Sequence, residues 1–224
     1  MIGSRMRSAR MPSLRDERGF TLVELLVAMA IHSIVMLVFT RTLASVQMAA
    51  VRQENLSRTN DQLRLVVEEM DRQIRSGQVL FDPASEGSST CTGCQSGYTL
   101  RVYTMSNANA VSAGGLGYAT CVLWKVESAS PYALKTVHWQ SSNPNGTVTA
   151  WRTVATGIVN SQVSGAAAPF TLESGSRTLD LSFAVNQDLV NRSTQTTYVQ
   201  ASLTGRNTAA GTPVTVCATL PTGL

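Results

Sequence analysis

Lysine is nearly missing from this 224-residue chain: Lys125 and Lys135 are two of its 18 basic residues, and arginine supplies the rest. That imbalance reflects the base composition of the coding DNA and carries no functional meaning. Charge of either sign is sparse, at 14% of residues. The formal +4 is also unevenly placed. Residues 1–19 hold Arg5, Arg7, Arg10, Arg15 and Arg18 against Asp16 and Glu17, a net of +3, which leaves +1 for residues 20–224. A body so close to neutral has no electrostatic footprint for nucleic acid, and nucleic acid is not expected as a partner.

Catalytic constellations are missing as well. The histidines are His32 and His138. His138 lies in a strand-like run beside Trp139, where packing is the commoner use, and no nucleophile motif accompanies it. "GGLG" at 114–117 lacks the Lys-Ser/Thr and flanking helix of a phosphate-cradling loop. Glu127, Glu173, Asp180 and Asp188 are scattered and read as solvated. Trp124, Trp139 and Trp151 read as sheet core. The expectation is a protein that is not an enzyme, with no cofactor and no metal site.

Proline and glycine are missing from residues 20–76. What fills that stretch decides the architecture. Residues 20–39 are apolar except for Thr21, Glu24, His32 and Ser33. Twenty such residues make about 30 Å of helix, the thickness of a bilayer core. Basic residues precede the run, so the short tail is expected to stay cytoplasmic and the rest to be exported. Glu24 is the anomaly, because an ionised carboxylate in a membrane helix costs roughly 2.5–3.5 kcal/mol even on lenient scales. A cleavable secretory signal with its small-residue site in "TLASVQMAA" (42–50), and a plain signal anchor, both leave Glu24 unexplained.

A third reading uses every residue. Arg18-Gly19-Phe20-Thr21-Leu22-Val23-Glu24 follows a short basic leader and opens the apolar run. In this the chain resembles type IV pilin-like proteins. The resemblance implies cleavage between Gly19 and Phe20 by a prepilin peptidase, with N-methylation of the new Phe20 amine. It also implies assembly with other pilin-like subunits through helix 20–76, served by inner-membrane assembly machinery. The physics agrees: a carboxylate four residues from a cationic amine lies one turn away, near the positive end of the helix. Glu24 can pair with its own amine or with that of a neighbouring subunit. His32 reads as a tolerated polar residue on an interhelical face.

Beyond the membrane the helix is expected to continue to Ser76, roughly 84 Å at ~1.5 Å per residue. Leu63, Val67, Met70 and Ile74 share one face. Glu54–Arg58, Glu68–Arg72 and Asp71–Arg75 are i,i+4 pairs of opposite charge, and Ser76-Gly77 reads as a stop. After it, Ser, Thr, Gly and Asn become frequent and alternating runs appear at 98–103, 121–126, 132–139, 147–154, 178–185, 197–203 and 213–218. "NPNG" at 143–146 reads as a turn, and 106–117 as a loop.

The expected fold is α+β, a pilin-like lollipop. A cleaved leader (1–19) is followed by a long helix (20–76, transmembrane over about 20–40). The second half of that helix packs on an antiparallel sheet head of five to seven strands (78–224). The head's landmarks "CVLWKV", "WRTVATGIVN" and "TLDLSFAVN" resemble, more loosely, W-type minor pilins and J-type pseudopilins.

In an exported head the four cysteines are free to form disulfides. Three connectivities exist. The favoured one joins Cys91 to Cys94 as a loop staple, and Cys121 to Cys217 between two strands. A zinc site using all four, and a redox C-x-x-C, are the alternatives.

The resemblance therefore implies a minor pilin or pseudopilin in a type IV pilus-like filament, acting in its tip, initiation or assembly. It would reside as a single pass in the cytoplasmic (inner) membrane with an extracytoplasmic head, then in the pilus or pseudopilus. A type II secretion or DNA-uptake pseudopilus subunit is an alternative. A membrane-anchored extracytoplasmic binding protein that never polymerises is another, of a different class.

Overall fold

The computed structural model describes residues 19–89, 91–104, 120–141, 148–173, 177–186, 196–206, 209–210, 216–218 and 220–222. The leader up to Arg18, the expected loop at 106–117, the turn at 143–146, Asp188 and residues 213–215 lie outside them. The chain divides into two compact units, one ending at Ala50 and one running from Val51 to Leu224. Helix α1, Leu22–Arg75, contributes to both.

In the first unit every large apolar side chain of residues 20–39 is more than half exposed. This helix is the one, among the described residues, long and apolar enough to cross a membrane.

In the second unit α1 becomes one-sided. Thr59, Leu63, Val66, Met70, Gln73 and Ile74 are buried, a stripe at helical spacing. Val67, expected on that face, is only partly buried at its flank, and Val66 takes its place in the core. The ion pairs also re-sort. Arg75 pairs with Asp71 as expected, but Glu68 takes Arg64 and Arg72 takes Glu69.

Strands β1 (Gly77–Leu80), β2 (Thr99–Thr104), β3 (Thr120–Val126), β4 (Ala133–Gln140), β5 (Arg152–Thr156), β6 (Phe170–Leu172), β7 (Thr178–Val185), β8 (Thr197–Thr204) and β9 (Ala209–Ala210) follow. They form the expected antiparallel β head behind one long helix, but as two sheets instead of one. One six-stranded sheet has the order β5-β4-β3-β2-β1-β9, and a three-stranded sheet has the order β6-β7-β8. The pairing of β1 with β9 is parallel. An isolated bridge between Ile158 and Val185 links the chain after β5 to the end of β7.

Both sheets share the α1 stripe. Leu63, Val66, Met70 and Ile74 meet Leu100, Val102, Val122 and Trp124 of the larger sheet, and Leu179, Leu181, Phe183 and Leu203 of the smaller. The larger sheet is buried on its other face too, where Cys121, Leu123, Val137 and Trp139 pack with Cys91, Cys94 and Cys217. Burial on both faces explains why "CVLWKV" is nearly continuous in apolar residues instead of alternating.

A buried polar link fixes α1 to the sheet. Trp124 Nε1 donates to Gln73 Oε1 at 3.0 Å, while Gln73 Nε2 donates to Glu69 Oε1 at 2.6 Å. Thr104 Oγ1 donates to the Gln73 carbonyl at 2.9 Å. The helix stops at Arg75, as Ser76-Gly77 suggests, but not through a left-handed backbone at Gly77, because the φ of Gly77 is not positive. Gly77 starts β1 at once, and a Cβ there would lie 2.9 Å from the Gln73 carbonyl and 3.1 Å from that of Ile74. Glycine is needed because the strand leaves so close to the last helical turn.

Candidate processing and assembly site

The residues singled out at the N-terminus come together at the start of α1. Gly19 and Phe20 are exposed and precede the helix, and Phe20 is 81% exposed. Nothing lies within 4 Å of a Cβ built on Gly19, and its φ is not positive. Neither its backbone conformation nor packing among the described residues requires glycine there.

Thr21 caps the helix. Its Oγ1 accepts from the Glu24 backbone N–H at 3.3 Å, and its carbonyl accepts from Leu25 N–H at 3.2 Å. Thr21-x-x-Glu24 is the spacing of a capping box, in which the cap side chain serves the backbone three residues on. The Thr-x-x-Glu pattern ahead of an apolar run is the sequence signal of this cap, beyond a mere polar interruption at Thr21.

The remaining hydroxyls satisfy themselves. Ser33 Oγ donates to the Met29 carbonyl at 2.8 Å, Thr40 to Met36 at 2.9 Å, and Thr42 to Val38 at 2.7 Å. Back-bonding of this kind removes a hydroxyl's need for water inside an apolar medium. The Glu24 carboxylate is different: no hydrogen bond or ion pair among the described residues engages it. Its negative charge sits in the first turn, where four orphan N–H groups and the helix dipole favour it. The site can therefore attract a cation at the helix start, and it presents apolar side chains on all sides for burial in lipid or among other helices.

The cysteines are joined as Cys91–Cys94 and Cys121–Cys217, with Cα separations of 5.2 and 5.8 Å. Cys217 stands in a turn and not in the expected strand. No group of three or more His, Cys, Asp or Glu among the described residues could hold a metal ion.

His138 lies in β4, with Nε2 3.3 Å from Thr136 Oγ1. Burial and the nearby Arg152 charge lower its pKa to about 4, so the ring is neutral at pH 7. Glu127, read as solvated, is half-buried and pairs with Lys135 at 2.6 Å. Trp124 and Trp139 are buried in the two cores, while Trp151 is only half-buried and lies under Lys125, whose Nζ stands 4.6 Å from its ring centroid. Burial lowers the Lys125 pKa.

No sequence pattern points to Glu86 and Arg101, the most buried ion pair among the described residues. Arg101 Nη2 lies 2.8 Å from Glu86 Oε1, Nη1 donates to the Cys217 carbonyl at 2.8 Å, and the guanidinium stacks 4.0 Å over Phe81. The pair spans strand, loop and C-terminal turn, which no local pattern encodes.

Fold and site together define an α+β protein with a capped, apolar N-terminal helix long enough to cross a membrane and a disulfide-stapled β head. A family model described as the prokaryotic N-terminal methylation motif matches residues 14–40, the end of the leader and the apolar run, and supports a type IV pilin-like protein. No curated protein and no solved structure matches the chain. The motif implies processing by a prepilin peptidase and assembly with other pilins. The helix is consistent with a single-pass inner-membrane anchor.

Proposed function

We propose that this chain is a minor pilin or pseudopilin, a structural subunit acting in the tip, initiation or assembly of a type IV pilus-like filament. The carrying observation is the coincidence of the methylation motif at 14–40 with a helix start at which the Glu24 carboxylate is the one acidic group and has no partner among the described residues. In this reading a prepilin peptidase cuts between Gly19 and Phe20, and the Phe20 amine is methylated. Residues 1–19 form the leader, helix 20–76 inserts and then packs with other subunits, and residues 78–224 form the head outside the membrane. Glu24 draws the Phe20 amine of an adjacent subunit into axial register. Breaking one side of such a pair in hydrocarbon costs about 3–5 kcal/mol, enough to discriminate an aligned subunit from a misaligned one.

Two measurements test this. Mass spectrometry of the mature N-terminus is expected to find methylated Phe20. Glu24→Ala is expected to leave the chain processed and in the membrane while removing it from sheared filaments. Normal incorporation of that variant would overturn the role given to Glu24, and an uncut leader would overturn the reading as a whole.

A further inference from the structure

Glu24 and His32 are the ionisable side chains of residues 20–39, and the function proposed above uses only Glu24. The other polar side chains of the run serve their own helix. Thr21 accepts from the Glu24 N–H, and Ser33 donates to the Met29 carbonyl. His32 is exposed, and no hydrogen bond or ion pair among the described residues engages its ring.

Depth makes the ring's lack of a partner costly. His32 lies 12 residues beyond Phe20, about 18 Å along the helix axis. In a hydrocarbon core about 30 Å thick that is just past the middle, too far from either face for an imidazole to reach water. A neutral imidazole keeps one N–H to donate and one nitrogen to accept. Lipid tails offer neither partner, so the ring must find one in protein.

Position around the helix narrows the choice. Eight residues separate Glu24 from His32, which sets them about 80° apart on one face. Ala28 lies midway and is the smallest side chain there, which lets a second helix come close. Ser33, already satisfied, lies about 180° around the helix from Glu24. His32 cannot reach the Glu24 of its own chain, about 12 Å away along the axis. Glu24 could be served by its own Phe20 amine, but His32 requires a neighbour.

We propose that His32 is a second register contact, whose ring donates to the carboxylate of an adjacent subunit. That subunit lies on a parallel helix that opens, like this one, with a cationic amine and a glutamate four residues on. The inference rests on the proposed function and deepens it. Parallel helices with no axial shift set carboxylate against carboxylate, which a low-dielectric medium penalises. Shifting the neighbour outward by four residues, about 6 Å, brings its amine level with Glu24, and by eight residues, about 12 Å, its glutamate level with His32. A shift of six residues, about 9 Å, leaves each contact about 3 Å from level, a gap that these side chains span. The carboxylate has two oxygens, so one glutamate can serve an amine and an imidazole together.

The test uses the full chain in its own cells. A benzophenone amino acid in place of His32 is expected to capture the first turns of another pilin-like subunit, near its glutamate, as mapped by mass spectrometry of the cross-linked peptide. Capture at the unshifted level, or of lipid alone, overturns the proposal. His32→Leu should lower recovery in sheared filaments about tenfold, the worth of one interhelical hydrogen bond in a membrane. Leader cleavage, Phe20 methylation and membrane insertion should be unchanged. His32→Gln keeps an N–H donor and should restore most of the recovery. Wild-type recovery of His32→Leu overturns the proposal, and so does an equal loss in His32→Gln. An uncut leader, or a wild-type chain absent from filaments, overturns the underlying function and this contact with it.

Discussion

Arg101 offers a sharp test of how the head is held together. Its side chain is 12% exposed and that of Glu86 2%, so both charges have left water. Nε and Nη2 of Arg101 both donate to Glu86 Oε1, at 3.0 and 2.8 Å, and Oε2 is buried without a partner. Arg101→Met keeps the aliphatic stem and strands the carboxylate. Removing one member of a buried pair costs about 3–5 kcal/mol. The lost bond to the Cys217 carbonyl adds about 1 kcal/mol. We expect a loss of about 4–6 kcal/mol, a large share of the total stability of an ordinary domain. Adding Glu86→Leu removes both the stranded charge and the unsatisfied Oε2. The double variant should then recover at least about 2 kcal/mol of that loss, a coupling that a double-mutant cycle reads directly. Urea unfolding of the full chain in mild detergent, followed by the fluorescence of buried Trp124 and Trp139, measures all four species. A cost below about 1 kcal/mol for Arg101→Met would refute the reasoning. So would strictly additive losses in the double variant, because they would mean that the pair does not act as a pair.

Three further perturbations probe other links. Gln73→Leu leaves the buried Trp124 Nε1 without its acceptor and should cost about 2 kcal/mol; pairing it with Trp124→Phe should cost less than the two losses summed, as judged by thermal unfolding. Gly77→Ala drives a Cβ against two helical carbonyls and should destabilise by about 1–3 kcal/mol; an unchanged melting temperature would show that the turn can open. His138, with its pKa lowered to about 4 in the fold against an ordinary 6.5, makes the unfolded chain bind the extra proton between those values. Its stabilising contribution is complete above pH 6.5 and is lost as pH falls towards 4. After allowance for partial exposure the loss is about 1–2 kcal/mol, and His138→Gln should flatten the stability profile over that window.

The long helix was legible because 57 residues, 20–76, contain neither proline nor glycine and carry an apolar stripe at the far end. The strands β2, β3, β4, β7 and β8 were legible from alternation or from unbroken apolar runs, and each lies within a residue or two of its expected place. What was not legible depends on distant contacts. β1 looks like a helix stop because its glycine is needed by a neighbouring turn, not by its own dihedral angle. β6 and β9 are three and two residues long, too short to show any period. The division into two sheets comes from the chain after β5 crossing to bridge Val185 through Ile158, a contact that no local pattern announces. Glu86 and Arg101 find each other across 15 residues of loop and strand, and Arg101 reaches Cys217 across 116.

The two units divide the chain's interactions in opposite ways, and that division bears on the functional reading. In the second unit the α1 stripe, both faces of the larger sheet and nearly all buried polar groups find partners inside the chain. In the first unit the backbone and hydroxyls are satisfied internally, but no large apolar side chain of residues 20–39 is buried and Glu24 engages nothing described. Burial of each such side chain is worth about 1.5–3 kcal/mol when complete. A lipid bilayer meets that demand but offers the carboxylate no counter-charge. Other helices of the same kind, each beginning with a cationic amine, would meet both at once. Under the proposed function, the glutamate would distinguish a site made only for anchoring from one made for anchoring and then assembly. That distinction is why the fate of Glu24→Ala in filaments, and not its retention in the membrane, is the informative measurement.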